Sequence, residues 1–127
     1  MSIITIEAIR DYIEKNKIEL ECTHTKLCVP VIDRIYRKMV AGIEFFEIKV
    51  DGNHICDGHH RYIASLLANV SVGRIPSAST SATEITDWKT VSFVEEDWDT
   101  ADKIKMLNEV DAEFNNKTIE EIEAILE

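Results

Sequence analysis

Two short apolar runs joined by a turn signal, and followed at once by glycine, two histidines and arginine, constrain this chain more than any other feature. Residues 46–50 carry apolar side chains at every second position, and a second run follows at residues 54–56. Asp51 and Gly52 between the runs favour a tight β-hairpin, because both residue types tolerate positive φ angles. A helical spacing of apolar residues begins within residues 57–62, whose sequence is Asp-Gly-His-His-Arg-Tyr. The sequence therefore predicts a hairpin that leads directly into a helix.

This predicted junction has the character of an anion pocket. The first turn of a helix carries backbone N–H groups without intrahelical partners, and the helix dipole favours negative charge there. His59, His60 and Arg61 stand in that turn, where cationic side chains oppose the dipole unless an anion is bound. Gly58 would let the backbone approach the anion, and phosphate suits such a group of donors. In the simpler alternative Asp57 caps the helix and the histidines lie on the surface.

The same segment offers residue types for metal and thiol chemistry. Adjacent histidines on a helix diverge by about 100°, and two residues three apart on a strand point to opposite faces. We therefore predict no dedicated metal site and expect Mg only together with a nucleotide. Cys56 as a reactive thiolate would need stabilisation by the nearby histidines, and a small buried thiol is the simpler interpretation. The metal-ligating types that these arguments concern are Asp51, His54, Asp57, His59 and His60.

Upstream of the hairpin, the pattern predicts a helix, a strand and a second helix. Thr5 is a suitable N-cap for the first helix. Residues 18–22 alternate between apolar and polar side chains, as in a half-buried strand. Pro30 suits the first turn of the second helix and Gly42 suits its end.

Downstream, the sequence predicts two more strands and two helices. The strands are expected at residues 72–75 and 89–94, and the small polar segment 77–83 between them is interpreted as a linker rather than a lid. Thr100 opens a long helix, and Thr118 opens a terminal helix with a capping box. The inner side of the long helix is predicted to consist of Ile104, Leu107, Val110 and Phe114.

Negative charge is concentrated in the C-terminal part of the chain. Residues 1–76 carry ten Lys or Arg and ten Asp or Glu, whereas residues 77–127 carry four against fourteen and hold the whole net charge of -10. An acidic half opposes attraction to nucleic-acid phosphates, so we predict no nucleic-acid partner. The acidic run 95–99 is interpreted as a solvated edge, with a partner-binding or DNA-mimicking face as the alternative. Trp88 and Trp98 are interpreted as core residues, with base stacking as the alternative.

Size and composition predict one globular domain in the cytoplasm. A length of 127 residues fits a single domain. The sequence shows no apolar run of about 20 residues that could span a membrane. Residues 1–5 lack the basic and then apolar pattern of a signal peptide. Three cysteines without a Cys-x-x-Cys pair predict reduced thiols.

The hairpin and its following motif resemble the ParB/sulfiredoxin superfamily. Members usually show Gly, two further residues and Arg at a strand-to-helix turn, and Gly58-His59-His60-Arg61 has that spacing. The resemblance covers roughly residues 18–76. It predicts an α+β fold, a small mixed sheet with packed helices. Residues 77–127 are then an acidic strand-helix-helix extension within one domain, residues 1–127.

The resemblance implies a nucleotide-phosphate site, with ATP or another nucleotide and Mg as cofactors. Gly58 would admit the phosphates close to the backbone, and His60 and Arg61 would contact phosphate oxygens. Asp57 would orient the turn, fix a histidine or hold Mg. In a catalytic version His59 or His60 would act as general acid or base, because an ordinary histidine titrates near operating pH. The reaction class would be phosphoryl transfer or nucleotide hydrolysis.

Departures from the family pattern narrow this expectation. The position at which the sulfinic-acid reductase carries cysteine is His59 here, which argues against sulfinic-acid repair. The sequence lacks the Arg-rich boxes and helix-turn-helix domain of the DNA-partition proteins. Residues 23–26 lack the catalytic carboxylate of the free serine kinases, and only Glu21 and Asp33 flank them. The alternatives are a non-catalytic acidic interaction module with a degenerate pocket and, third, a nuclease.

Overall fold

The predicted hairpin supplies two of the three strands of the main sheet. In the computed structural model, which describes residues 4–127, the chain forms an α+β fold with five helices and two small sheets. A single turn of 3₁₀ helix, Trp88–Thr90, precedes the last strand. The elements are α1 (Ile6–Lys15), β1 (Lys26–Cys28), α2 (Val29–Val40), β2 (Ile48–Asp51), β3 (His54–Asp57), α3 (His59–Ala68), β4 (Arg74–Pro76), β5 (Ser92–Val94), α4 (Ala101–Phe114) and α5 (Ile119–Ile125).

The three-stranded sheet has the order β3-β2-β4, with an antiparallel hairpin and a parallel third strand. Gly52 has a φ of +60° in the hairpin turn, as predicted from Asp51-Gly52. The register shifts between Lys49 and Val50, which marks a β-bulge close to the end of β3. The hairpin therefore delivers the chain into α3 within one residue of the end of β3.

The strand predicted at residues 18–22 is wrong. Only two isolated bridges form there, one from Glu21 to His54 and one from Cys22 to Thr86. The segment crosses the turn end of the hairpin, where the N–H of Glu21 donates to the carbonyl of Asn53, so it has no extended partner. The actual strand is β1, which pairs in parallel with β5.

The main core lies between α2, α3 and the sheet. Its completely buried side chains come from every part of the first 93 residues, and each contributes on the order of 2 kcal/mol of hydrophobic burial. Tyr62 and Trp88 add polar anchors, because the Tyr62 hydroxyl accepts from the N–H of Leu20 and the Trp88 indole donates to its carbonyl. Among the core side chains are Ile9, Leu27, Ile32, Ile48, Ile55, Ile63 and Val91.

The C-terminal helices dock on this core through a small second cluster and an ion pair. Ile43, Ala112 and Ile122 form the cluster. Lys38 on α2 donates to Asp111 on α4 over 2.6 Å, and both side chains are nearly buried. The capping box predicted at the start of α5 is confirmed.

The predicted inner side of α4 is only half right. Ile104 and Leu107 are partly buried, but Val110 and Phe114 are 39% and 45% exposed. The ion pair turns Asp111 toward α2, and this rotation carries the C-terminal apolar residues of α4 outward.

None of the helices between residues 4 and 127 has the length and apolar character needed to cross a membrane. The prediction about a signal peptide concerns a segment whose first three residues lie outside the described part of the chain.

Candidate functional site

The junction between β3 and α3 opens into a cavity of about 620 Å³, which we call the α3 cavity. The first turn of α3 forms one wall, and the facing sides of α2 and α4 form the others. Most of the wall between the helices is apolar. It is lined by Val31, Ile35, Phe45, Phe46, Ile104 and Leu107.

The amino end of α3 presents three backbone N–H groups to this cavity. Gly58 is the N-cap residue and makes no side-chain cap, so the N–H groups of His59, His60 and Arg61 have no acceptor among residues 4–127. All four residues line the cavity. Uncapped amides at the positive end of a helix dipole form a binding site for an anion.

Gly58 is required here by the fold itself. Its φ is +101°, in the left-handed region that disfavours side chains. A Cβ at this position would also lie 2.5 Å from Cγ2 of Ile48. The glycine of the motif is therefore explained by packing against β2, without reference to a ligand.

His59 is a buried, neutral hydrogen-bond acceptor. Its ring is 2% exposed and stacks on His24 with centroids 4.0 Å apart. Its Nε2 accepts from the N–H of Thr23 over 3.0 Å, which places the proton of the neutral ring on Nδ1. Burial, and then the neighbouring His24 and His60, lower the pKa of His59 to about 3.

Like His59, His60 accepts a hydrogen bond from a backbone N–H group. Its Nε2 accepts from the N–H of Cys28, the N-cap of α2, over 2.9 Å. The ring meets the edge of Trp98 at a centroid distance of 5.5 Å. Burial, and then His24, lower the pKa of His60 to about 4.

These two geometries correct two expectations. The alternative that both histidines are surface residues is wrong for His59. The expectation that His59 or His60 titrates near operating pH is also wrong, because desolvation opposes the charged form of each ring. Neither ring is a cation at the amino end of α3, so only Arg61 remains of the electrostatic conflict expected from the sequence.

Arg61 folds back onto the hairpin. Its Nη1 donates to the carbonyls of Phe46 and Glu47 over 2.9 and 3.2 Å, and its Nη2 lies 3.4 Å from Asp57. The side chain of Asp57 stays 64% exposed. The guanidinium therefore ties α3 to the segment before β2, and only part of its donor capacity faces the cavity.

Two buried polar atoms of cavity-lining residues have no hydrogen-bond partner among residues 4–127. They are Nδ1 of His59 and Oδ1 of Asn108, which stand on opposite walls, α3 and α4. An unpaired buried donor or acceptor costs about 1 to 3 kcal/mol. Both atoms are buried as well as unpaired, so a ligand in the cavity would reach either one only if its side chain moved.

Most of the basic side chains around the cavity are already paired. Arg34 makes bonds of 2.6 and 2.9 Å to Asp97 and one of 3.1 Å to Asp99. The hydrogen bond from Arg34 lowers the pKa of Asp97. Residues 95–99 are therefore not simply a solvated edge. Lys103, by contrast, lines the cavity and has no carboxylate within ion-pair distance in the described chain.

The two tryptophans have different environments. Trp88 is buried in the core, as predicted. Trp98 is 49% exposed at the edge of the cavity, so the core interpretation is wrong for it. The contributions of α2 and α4 to the site were not foreseen, because no motif marks Arg34, Lys103 or Asn108 in the sequence.

A second cavity of about 440 Å³ lies between the hairpin and residues 77–83. Ser79 ties this loop to the hairpin, since its Oγ lies 2.5 Å from Nε2 of His54 and its N–H donates to Asp51. Cys56 lines the same cavity, with Sγ 3.9 Å from Oγ of Ser79. Within the described residues, no three His, Cys, Asp or Glu side chains are grouped so as to hold a metal ion.

Comparison with protein-family models, curated proteins and solved structures found no match to this chain. The assignment to the ParB/sulfiredoxin superfamily stays a prediction from the motif.

Proposed function

We propose that the α3 cavity binds a phosphate-bearing ligand of nucleotide size. The observation that carries this proposal is the uncapped amino end of α3, which directs the N–H groups of His59, His60 and Arg61 to one wall of the cavity. A phosphate placed there would satisfy these donors and would lie at the positive end of the helix dipole.

The other walls support a ligand with an apolar or aromatic part as well as phosphate. Ile35, Leu107 and Phe46 offer an apolar surface between α2 and α4, and Trp98 offers an exposed ring at the edge. Ligand sites of 300 to 1,000 Å³ that combine apolar walls with a few polar groups are typical of small-molecule binding. A nucleotide, whose base stacks and whose phosphates accept hydrogen bonds, has this composition.

The polar groups of the site favour binding over proton transfer. Both histidines use Nε2 to accept a backbone N–H bond, and both are neutral well below physiological pH. In that state the lone pair on Nε2, which would have to take up a proton, is already engaged by a backbone N–H. Phosphoryl transfer or hydrolysis would therefore depend on Asp57, the exposed carboxylate at the edge of the cavity.

Asp57 is also the residue that would contact Mg, if the ligand is a nucleotide with its metal ion. Protein sites usually hold Mg through one or two carboxylates together with substrate phosphates. The order of hairpin, α3 and the parallel strand β4 supports the further proposal that this part of the chain is of the ParB/sulfiredoxin type.

Thermal unfolding with ligands tests the proposal. ATP, CTP, GTP and ADP with Mg, and inorganic phosphate alone, are titrated against the full chain. A ligand at 100 times its dissociation constant should add about 2.7 kcal/mol to the free energy of unfolding. We expect a nucleotide to bind more tightly than phosphate, because only the nucleotide fills the apolar part of the cavity.

Two lysines on α4 provide a matched pair of variants. Lys103→Ala removes a cation from the cavity wall, and Lys105→Ala removes an exposed cation outside it. Lys103→Ala should weaken binding several-fold in calorimetric titration, while Lys105→Ala should leave it unchanged. Absence of any stabilisation by all five ligands would refute the proposal, and equal affinities of the two variants would place the site elsewhere.

A further inference from the structure

The outward face of α4 carries large apolar side chains at every fourth position. Met106, Val110 and Phe114 are 46%, 39% and 45% exposed, and we call them the outer stripe of α4. Phe46, itself 54% exposed, extends the stripe, because its ring packs on Phe114 with centroids 4.2 Å apart. Residues spaced by four lie along one side of a helix, so these four side chains form one continuous surface.

A continuous exposed apolar surface is unusual in a protein with a net charge of -10. The same helix buries Asn108 and Asp111 against the body of the molecule, while it leaves Met106, Val110 and Phe114 outside. Scattered apolar side chains are ordinary on a surface, but a contiguous apolar patch marks an interaction site. The patch is separate from the α3 cavity at Met106 and Phe114, which do not line it.

The charges beside the outer stripe select the kind of partner. Asp102, Glu109 and Glu113 are exposed, and on a helix of 3.6 residues per turn they share one flank of the stripe. Lys103 is the one exposed lysine of α4 on the side of the stripe, so the carboxylates beside the stripe outnumber it three to one. Residues 77–127 as a whole carry the net charge of -10. A second copy of this chain would bring the same negative charges face to face, whereas a basic partner would complement them.

We propose that the outer stripe of α4 is a docking surface for a basic amphipathic helix of a partner protein. The stripe spans nine residues of α4, about 12 Å, which matches apolar anchors on three successive turns of a partner helix. The flanking carboxylates would attract Lys or Arg beside those anchors. This surface is inferred without reference to the nucleotide site proposed above, although Val110 and Phe46 border both, and only Met106 and Phe114 belong to the stripe alone.

Fluorescence anisotropy with synthetic peptides tests this surface. The probe is an 18-residue peptide of leucine and lysine with leucines along one helical face. A second peptide has the same composition with the leucines spread around the helix, and a third carries glutamate in place of lysine. We expect the first to bind best, with affinity that falls at high salt, because surface attraction between opposite charges is screened.

Variants of exposed residues locate the binding. Met106→Ser combined with Phe114→Ser should weaken the first peptide at least tenfold. The matched control is Ile85→Ser, which removes another exposed apolar side chain, 51% exposed, outside the outer stripe. Thermal unfolding of both variants establishes that the fold is retained.

Several outcomes would overturn the inference. Equal binding of the first two peptides would mean that charge alone attracts them, and unchanged binding by the double variant would place the contact elsewhere. Preference for the glutamate peptide would contradict the charge argument. Concentration-dependent dimerisation in sedimentation, lost in the double variant, would assign the surface to a second copy. Nucleotide titration of the same double variant keeps this result separate from the proposed function.

Discussion

Helices α2 and α4 face each other across the same cavity, yet they are attached to the molecule by different forces. Both sequences carry apolar residues at helical spacing. Helix α2 turns its stripe into the main core, where Ile32 is completely buried. Helix α4 buries Ala112 but turns its larger apolar residues toward the cavity and the solvent, and it is anchored through Asp111 to Lys38 and through Asn115 to Glu44.

Apolar periodicity therefore predicts a helix but not the direction in which its apolar side faces. Periodicity reports only that apolar side chains share one side. The polar anchors decide which side is turned inward, and a buried ion pair is a demanding anchor because both charges must stay paired. A helix held in this way leaves apolar surface available for a ligand or a partner.

Truncating one isoleucine on each helix to alanine should give the largest difference in unfolding free energy between α2 and α4. Ile32→Ala on α2 should cost about 4 kcal/mol of unfolding free energy, because it leaves a cavity in a packed core. Ile104→Ala on α4 should cost less than about 1 kcal/mol, because that side chain already borders open space. Urea denaturation measures both, and similar losses would refute the distinction.

Breaking the anchor of α4 should have the next largest effect. Lys38→Ala should cost about 3 kcal/mol, because it leaves Asp111 buried without its partner. The control is Lys38→Met with Asp111→Leu, which replaces the whole pair by apolar side chains of similar volume. This double variant should lie within about 1 kcal/mol of the original protein in urea denaturation. A double variant as unstable as Lys38→Ala would mean that the charges themselves hold α4.

Lowering the pH should destabilise the α2 side of the cavity, with a smaller effect for each histidine than Ile32→Ala or Lys38→Ala. His60, which holds the first turn of α2, and His59 have pKa values of about 4 and about 3, below the ordinary 6.5 of the unfolded chain. The unfolded chain therefore binds more protons below pH 6.5, so stability is complete above that pH and falls as the pH drops toward 4. We expect each of the two histidines to contribute a loss of about 2 kcal/mol between pH 7 and 5.

His60→Gln provides the matched variant, because the glutamine oxygen can accept the N–H of Cys28 without titrating. This variant should lose only about half as much unfolding free energy between pH 7 and 5 as the original protein, as measured by denaturation experiments. Most carboxylates titrate below this window. A stability curve that stays flat from pH 7 to 5 would contradict the neutral, buried state of both rings.

Local signals in the sequence predicted most of the elements. Thr5, Thr118 and Gly42 mark helix ends through backbone geometry that neighbouring residues determine, and each prediction is confirmed. The short strands were harder, because β1 and β5 are three residues long and depend on a distant partner. The alternation at residues 18–22 correctly predicted that Leu20 and Cys22 are buried. It did not predict that the backbone of this segment forms only isolated bridges.

The sequence predicted where the candidate site lies but not the hydrogen bonds that its side chains make. Residues 57–61 do lie at a strand-to-helix junction that borders a cavity. The sequence could not show that Thr23 and Cys28 supply the N–H groups that hold the two histidines, because those contacts join residues more than thirty positions apart. It also gave no sign that α4 closes the cavity, since the rotation of α4 depends on its ion pair with α2.

The pairing of β1 with β5 has a consequence for how the chain is made. Lys26 lies opposite Ser92, so β1 leaves the ribosome 66 residues ahead of the strand it needs. At ordinary rates of synthesis this delay is about 3 to 13 s. The β2–β3 hairpin, whose strands are neighbours along the chain, meets no such delay. Translation therefore makes the hairpin and α3 available before the small parallel sheet can close.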